Sequence, residues 1–192
     1  MRVVLASASP RRRELLRSLF SDFETVVADI DETLDEGVPP RDEVEILSVR
    51  KGRAVADKLS DPEALIISSD TLVELSGIPL GKPQDERDAL RMLESLSGRE
   101  HRVHTGVAVH YRGRVYSGVD TTAVFFRGIS AEEAVEYVNG GEPMDKAGAY
   151  GIQGEGGKFV EHIEGDFDTV MGLSMRLVKE LVGKALSSPA CG

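Results

Sequence analysis

The sequence predicts an α/β fold in which a mixed, twisted sheet is flanked by helices. Short runs rich in β-branched residues alternate along the chain with longer segments whose apolar residues recur at helical spacing. The 192 residues suffice to bury a sizeable core, and a composition of 41% hydrophobic and 29% charged residues is ordinary for a globular protein. Because no linker or shift in composition interrupts the chain, residues 1–192 are expected to form a single domain of two lobes that share one sheet.

The first predicted strand leads through a hydroxyl-rich turn into a helix. Residues 2–6 form a short run with β-branched residues, Ser9 stands where an N-cap belongs, and Pro10 suits the first position of a helix. Arginines in a first helical turn oppose the helix dipole, so the run from Arg11 to Arg13 is typical of a place that holds an anion. The alternative is that these arginines are solvated helix surface.

The remaining elements follow in alternation as far as the carboxyl-terminal end. The first half contains a strand at 23–28, a helix at 42–59, a buried strand at 64–69, a hairpin at 72–80 around Ser76 and Gly77, and a helix at 86–96 that Gly98 ends. The second half contains a hairpin with arms at 101–111 and 115–126, a helix at 130–139 with a Ser130–Glu133 capping box, an irregular glycine-rich segment at 141–157, a strand at 158–163 and a helix at 170–186.

An acidic residue is predicted at the end of a buried strand. Asp70 and Thr71 directly follow the strand at 64–69, and α/β proteins place reactive groups just past such strand ends. A carboxylate there can hold Mg²⁺ or accept a proton from water. A turn or capping role is the alternative interpretation.

Three lysines are candidate ligands of an anion. Lys51 lies seven residues after Val44 and four after Leu47, on the apolar stripe of its helix. Its side chain either reaches the edge of the core or points into a cleft to meet an anion. Lys82 and Lys146 lie in loops, where most lysines are merely solvated, although glycines near Lys146 allow backbone N–H groups to approach a ligand.

Several function classes are excluded or disfavoured. The sequence contains no P-loop, GxGxxG turn or GxSxG elbow, and its four histidines lack an HExxH-type arrangement. His104 and His110 share a face of one predicted strand and fit ordinary sheet positions, and the single cysteine, Cys191, excludes a disulfide framework. A net charge of −10 argues against a nucleic acid polymer as partner, but not against a small anion.

No apolar run could span a membrane and no signal peptide begins the chain, so a cytoplasmic protein without a membrane partner is expected. Cations and carboxylates without a covalent nucleophile suit hydrolysis of a phosphoanhydride by metal-activated water.

Seven motifs occur in order along nearly the whole chain: SASPRR at 7–12, DE at 31–32, SSDT at 68–71, LGKP at 80–83, LSG at 96–98, EPMDKAGAYGIQG at 142–154 and GDFDTVMGL at 165–173. Together they resemble the Maf family of nucleoside triphosphate pyrophosphatases. The resemblance implies a fold like that of inosine triphosphate pyrophosphatases, with two lobes around a deep cleft, and a homodimer. It also implies a divalent cation, Mg²⁺ or Mn²⁺, as cofactor, and cleavage of a nucleoside triphosphate into monophosphate and pyrophosphate.

The same resemblance implies roles for individual residues. Asp70 matches the family's catalytic acidic residue, and Glu32 matches an acidic residue that assists with metal or water. The positions implicated in gripping phosphates are matched by Ser7, Arg12, Lys51, Lys82 and Lys146. Arg11, Thr71 and Gln153 match the subtype that acts on dTTP and UTP, with a modified pyrimidine nucleotide as a further candidate substrate. The chain departs from the family pattern at Ser48, Gly52 and Ser174.

Two other functions fit part of the pattern. A nucleotide-binding regulator of cell division with little turnover would need the same cations but no central carboxylate. A nucleotidyltransferase also begins with a strand, a turn and an arginine, but its first turn is normally glycine-rich, whereas this chain has Ser7-Ala8-Ser9.

Overall fold

The computed structural model describes residues 1–188, so Cys191 lies outside the described residues. Within them, seven strands form one mixed sheet. The strands are β1 (Val3–Leu5), β2 (Glu24–Thr25), β3 (Leu65–Leu75), β4 (Ile78–Leu80), β5 (Glu100–Tyr111), β6 (Arg114–Phe126) and β7 (Val160–Glu164). Their order is β2-β1-β3-β5-β6-β7, and β4 pairs with β3. β1 is parallel to β2 and β3, whereas β3–β4 and β6–β7 are antiparallel, so the predicted mixed sheet is confirmed.

Six helices lie in the described residues, and those predicted at 42–59, 86–96 and 130–139 are present to within two residues at each end. The helices are α1 (Pro10–Arg17), α2 (Pro40–Leu59), α3 (Glu86–Leu96), α4 (Ala131–Asn139), α5 (Phe167–Met171) and α6 (Met175–Ser187), and three short 3₁₀ turns lie within residues 142–159. Ser9 caps α1 by accepting a hydrogen bond from the Arg12 backbone N–H, and the predicted capping box of Ser130 and Glu133 is present on α4. In the described residues, no helix is both long and apolar enough to cross a membrane.

The chain divides into two compact units, each with its own apolar core. Among the described residues, the first unit comprises 1–70, 105–120 and 172–188, and the second comprises 71–104 and 121–171. In the first unit, β1, the start of β3 and the middle of β5 pack with α6 around Leu5, Ile67 and Val109. In the second unit, α3 and α4 pack on strands around Leu93, Phe126 and Phe159.

The prediction that Asp70 and Thr71 follow the strand is wrong, because both lie inside β3. The predicted strand at 64–69 and the first arm of the predicted hairpin are one continuous strand. Leu72, Val73 and Leu75 are buried, and Val73 pairs with Leu80 of β4, so the backbone stays extended beyond Asp70. The turn itself is as predicted, with Ser76 and Gly77 at φ +52° and +84°, as a tight hairpin requires.

The predicted helix at 170–186 is also wrong, since α5 and α6 are separate helices. Gly172 lies between them with φ +104°, a conformation that favours glycine. Its carbonyl oxygen accepts hydrogen bonds from Ser69 Oγ at 2.8 Å and from Arg12 Nε at 2.7 Å. Ser174 then caps α6 and donates to Asp120 Oδ2 at 2.7 Å, which explains why this residue is a serine here.

Candidate functional site

Arg12 is fixed in the first unit by acceptors from three parts of the chain. Its Nη1 donates to the Ser69 carbonyl oxygen at 2.9 Å and lies 3.5 Å from Ser7 Oγ, in addition to the bond from Nε to Gly172. Burial lowers the pKa of Arg12, and the charge of Asp70 acts in the opposite direction. For Arg12 the interpretation as solvated helix surface is therefore wrong. Arg11 is half-buried, and its role toward an anion stays a prediction.

Lys51 is buried in α2, and its ammonium contacts two carboxylates. Nζ lies 2.5 Å from Asp70 Oδ1 and 3.1 Å from Glu32 Oε2. The side chains of Lys51 and Asp70 are 9% and 8% exposed, whereas that of Glu32 is 56% exposed. Of the two interpretations of Lys51, the structure favours the one in which the lysine points toward charged groups. The ammonium neutralises a carboxylate that would otherwise be buried without a partner.

Two glycines allow α2 to lie directly on β5 and so set the position of Lys51. A Cβ on Gly106 of β5 would meet the Val44 carbonyl oxygen of α2 at 2.1 Å, and one on Gly52 of α2 would meet His110 Cδ2 of β5 at 2.3 Å. Along the helix, Val44 and Gly52 are about 12 Å apart, and along the strand, Gly106 and His110 are about 13 Å apart. Because the two distances agree, helix and strand run side by side between the contacts. Lys51, which adjoins Gly52, is held where they meet.

Ser68 ties this helix to the strand that carries Asp70. Its hydroxyl donates to the Ser48 carbonyl oxygen at 2.7 Å and lies 3.3 Å from a β5 carbonyl oxygen. Ser48 stands one turn before Lys51, and Ser68 stands two residues before Asp70, on the same face of the strand. The hydroxyl therefore fixes the ammonium and the carboxylate relative to each other. Gly52, where the chain departs from the family pattern, matches this close packing, whereas Ser48 contributes a backbone carbonyl that any residue would provide.

The second unit contains the other predicted residues. Lys82 is exposed in the segment between β4 and α3. Lys146 is mostly buried, and its Nζ donates to the Glu142 carbonyl oxygen at 2.8 Å and to Asp145 Oδ1 at 2.6 Å. Gln153 is exposed in the loop at 142–157, and Thr71 is half-buried in β3, next to Asp70 in the chain. Their predicted contacts with a nucleotide stay predictions.

Asp70 and Glu32 are the residues that could hold a divalent cation. Within the described residues, no cluster of three or more acidic, histidine or cysteine side chains has the geometry of a metal centre. Magnesium is, however, commonly bound by one or two carboxylates together with the phosphates of a substrate. Two carboxylates that converge on one ammonium form such a donor set, so the residues present fit Mg²⁺ or Mn²⁺.

Sequence reasoning assigned no role to Ser68 or Glu142, which the structure places at the centre of hydrogen-bond networks. Ser68 is completely buried, and the signal for it was a serine within a predicted buried strand, where a hydroxyl needs a partner. Glu142 accepts three hydrogen bonds through its side chain. Its signal was a glutamate before a glycine-rich segment whose N–H groups have few partners of their own.

The family is established by comparison with known sequences. Residues 2–185 match the family model described as Maf-like protein, so the chain belongs to the Maf family. A protein of Desulfitobacterium hafniense named dTTP/UTP pyrophosphatase is 48% identical over 183 residues, which cover 93% of this chain and 82% of that protein. One of Moorella thermoacetica with the same name is 50% identical over 183 residues, or 94% of this chain and 93% of that protein.

Among solved structures, this chain is similar to the Staphylococcus aureus Ham1 protein. The TM-score is 0.46 at 16% sequence identity, over 66% of this chain and 72% of that one. The family assignment rests on the sequence matches.

Proposed function

We propose that this chain hydrolyses dTTP and UTP to the nucleoside monophosphate and pyrophosphate. Its membership of the Maf family and the names of its relatives support a hydrolase acting on phosphoanhydride bonds. The observation that carries the proposal is the Lys51 ammonium held between Asp70 and Glu32, near the fixed guanidinium of Arg12. Phosphoryl chemistry is catalysed mainly by positioning and by neutralising charge, which is what such an arrangement provides.

Each charged residue has a distinct part in the proposed reaction. Asp70 accepts the proton of the attacking water, because its carboxylate is the fixed, buried base of the site. Lys51 and Arg12 offset the negative charge that develops on the phosphate oxygens, and Ser7 donates a hydrogen bond to one of them. Lys82 and Lys146 are proposed to bind further phosphate oxygens. Lys51 would then exchange part of its contact with the carboxylates for contact with phosphate.

A divalent cation, Mg²⁺ or Mn²⁺, is proposed as the cofactor. Asp70 and Glu32 would hold it, and when bound it would polarise the phosphoanhydride and increase the acidity of water. The exposed carboxylate of Glu32 can reorient toward a cation more easily than the buried carboxylate of Asp70. Glu32 is therefore expected to set the affinity for the metal.

Arg11, Thr71 and Gln153 are proposed to select the base. A neutral amide both donates and accepts hydrogen bonds, which suits the alternating acceptor and donor groups of uracil and thymine. Glutamate at the same position would only accept, and would suit a donor-rich guanine. A site that pairs with the edge of a base rejects an analogue strongly, because its own polar groups are left unpaired.

The test is the release of pyrophosphate from a panel of nucleoside triphosphates. We expect kcat/KM for dTTP and UTP to exceed that for CTP, GTP and 7-methyl-GTP. Gln153→Glu should reduce this preference, while Glu155→Gln, an opposite exchange two residues away at an exposed position, should not. A preference of the unmodified protein for a guanine nucleotide would refute the proposed substrate.

A regulator of cell division with little turnover is the less favoured function, since the similar proteins are named as pyrophosphatases. We place the protein in the cytoplasm, where nucleoside triphosphates are used. The homodimer implied by the family stays a prediction, which light scattering tests.

A further inference from the structure

The loop at 142–157 is organised around the side chain of Glu142. Glu142 Oε2 accepts a hydrogen bond from the Glu155 backbone N–H at 2.9 Å, and Oε1 accepts one from the Gly156 N–H at 3.2 Å. The hydroxyl of Tyr137, in α4, donates to Oε1 at 2.9 Å and accepts from the Gly151 N–H at 3.2 Å. One carboxylate therefore binds the far end of the loop directly and its middle through a tyrosine.

The backbone of the loop lies so close to these side chains that a Cβ at three of its glycines would force a neighbouring group to shift. A Cβ on Gly154 would meet the Glu142 carboxylate at 2.4 Å, and one on Gly156 would meet the Tyr137 hydroxyl at 2.6 Å. A Cβ on Gly151 would meet Lys146 Cε at 2.8 Å. A side chain at any of these positions would therefore displace the carboxylate or one of its partners, which glycine avoids.

The same loop contains a strained residue. Ala149 is fully buried with φ +59°, which is uncommon for a residue with a Cβ. Such conformations persist where the surrounding structure holds them.

Burial acts to raise the pKa of Glu142, but hydrogen bonds from Glu155, Gly156 and Tyr137 outweigh it and keep the pKa below its ordinary value. The carboxylate thus remains an ionised acceptor at neutral pH, which strengthens the bonds it receives.

We propose that Glu142 is a positioning residue, which holds the loop at 142–157 so that Gln153 is presented to the nucleobase and Lys146 to phosphate. Gln153 lies between Gly151 and Gly154, and both of these glycines are packed against groups that belong to the Glu142 network. The Glu142 carbonyl oxygen also accepts from Lys146 Nζ at 2.8 Å, so the same residue orients that lysine. The part concerning Gln153 rests on the proposed function.

Glu142→Gln is the direct test, because it keeps the size of the side chain but replaces one acceptor oxygen with an amide donor. The first readout is hydrogen exchange of the backbone amides of residues 151–157, measured without nucleotide. Loss of one charge-assisted hydrogen bond should increase exchange there by about tenfold or more. Glu155→Gln is the matched control, since it removes the same charge from the same loop but leaves the carboxylate network in place.

The second readout is the ratio of kcat/KM for dTTP to that for GTP. We expect Glu142→Gln to lower this ratio by about tenfold, mainly through KM for dTTP. Partial unfolding cannot cause such a change, because both substrates are assayed with the same amount of active protein. Tyr137→Phe, which removes only the bridging hydroxyl, should change exchange and selectivity in the same direction by less.

The outcomes separate this inference from the proposed function. Exchange in Glu142→Gln as slow as in Glu155→Gln would overturn the positioning role, whatever the substrate. Faster exchange with an unchanged dTTP-to-GTP ratio would overturn the link to base selection. Failure of the unmodified protein to release pyrophosphate from any nucleotide would refute the proposed function, and the exchange measurement would still decide the role of Glu142 in the loop.

Discussion

Substitution of Gly52 by alanine tests whether the contact between α2 and β5 sets the geometry of the Lys51–Asp70 pair. The added Cβ would lie 2.3 Å from His110 Cδ2, 2.4 Å from His110 Nε2 and 2.6 Å from Ser68 Oγ. Carbon atoms in good contact are about 3.5–4.0 Å apart, so helix or imidazole must move by about 1 Å. Lys51 is the next residue in the helix, and its Nζ lies 2.5 Å from Asp70 Oδ1.

The expected effect on activity is larger than the effect on stability. Alanine in place of glycine favours a helix by about 1 kcal/mol, whereas overpacking costs about 1–3 kcal/mol. The net loss of unfolding free energy should therefore be no more than about 2 kcal/mol. A catalytic group displaced by 1 Å can lose about 100-fold in rate, so kcat for dTTP should fall by about 10- to 100-fold.

The assay compares kcat, KM and urea unfolding of four proteins. Gly183→Ala is the control, because Gly183 lies in α6 and a Cβ there would meet nothing within 4 Å. It should stabilise the protein by up to about 1 kcal/mol and leave kcat unchanged. The double variant Gly52→Ala, His110→Ala should have a kcat at least about tenfold higher than that of Gly52→Ala alone, as expected for side chains in direct contact. Unchanged kcat in Gly52→Ala, or a double variant as inactive as the single one, would refute the reasoning.

Two further predictions concern buried charged and titratable groups. Lys51→Met should reduce kcat/KM by at least about 100-fold and the unfolding free energy by up to about 3–5 kcal/mol, because the buried Asp70 loses its partner. The double variant Lys51→Met, Asp70→Asn should regain stability but not activity. Recovery of activity in the double variant would count against the role of Lys51. Burial lowers the pKa of His101 to about 4 in the folded protein, from 6.5 in the unfolded chain. Burial of the neutral imidazole therefore contributes its full stability above pH 6.5, and this contribution is lost as the pH falls from 6.5 toward 4. His101→Phe should make the decline of the unfolding free energy between pH 6.5 and 4.5 shallower, by up to about 1.4 kcal/mol per pH unit. An identical decline in the variant and the unmodified protein would contradict the lowered pKa of His101. Part of the slope should remain, since burial also lowers the pKa of His110.

Local patterns in the sequence predict most helices and strands because local and tertiary preferences agree in them. α3 matches its predicted bounds, since a cap at Asp85 and an apolar face of Ala89, Leu93 and Leu96 all favour the same helix. The break between α5 and α6 could not be predicted, because it depends on Gly172 accepting hydrogen bonds from Arg12 and Ser69, which are distant in sequence. β2 is shorter than predicted: the strand contains only Glu24 and Thr25, although the flanking Phe23 and Val26 still pack against the apolar cores.

The candidate site was predicted in its residue types but not in its arrangement. Lys51 was identified as unusual because a charged residue on an apolar stripe needs a reason. Its partners, Asp70 and Glu32, lie on other elements, and helical spacing carries no information about them. Ser68 escaped notice since its role depends on contact between a helix and a strand. Glu142 escaped because a carboxylate that binds backbone N–H groups leaves no spacing pattern.

The most direct test of the central claim is the identity of the products formed from dTTP by the unmodified protein and by Asp70→Asn. Phosphorus NMR distinguishes pyrophosphate from orthophosphate, and a melting curve of each protein confirms folding. We predict dTMP and pyrophosphate from the unmodified protein with Mg²⁺ or Mn²⁺, and a rate at least about 100-fold lower for Asp70→Asn, which cannot accept the proton. Formation of dTDP and orthophosphate, or an Asp70→Asn variant within a few-fold of the unmodified rate, would contradict the account.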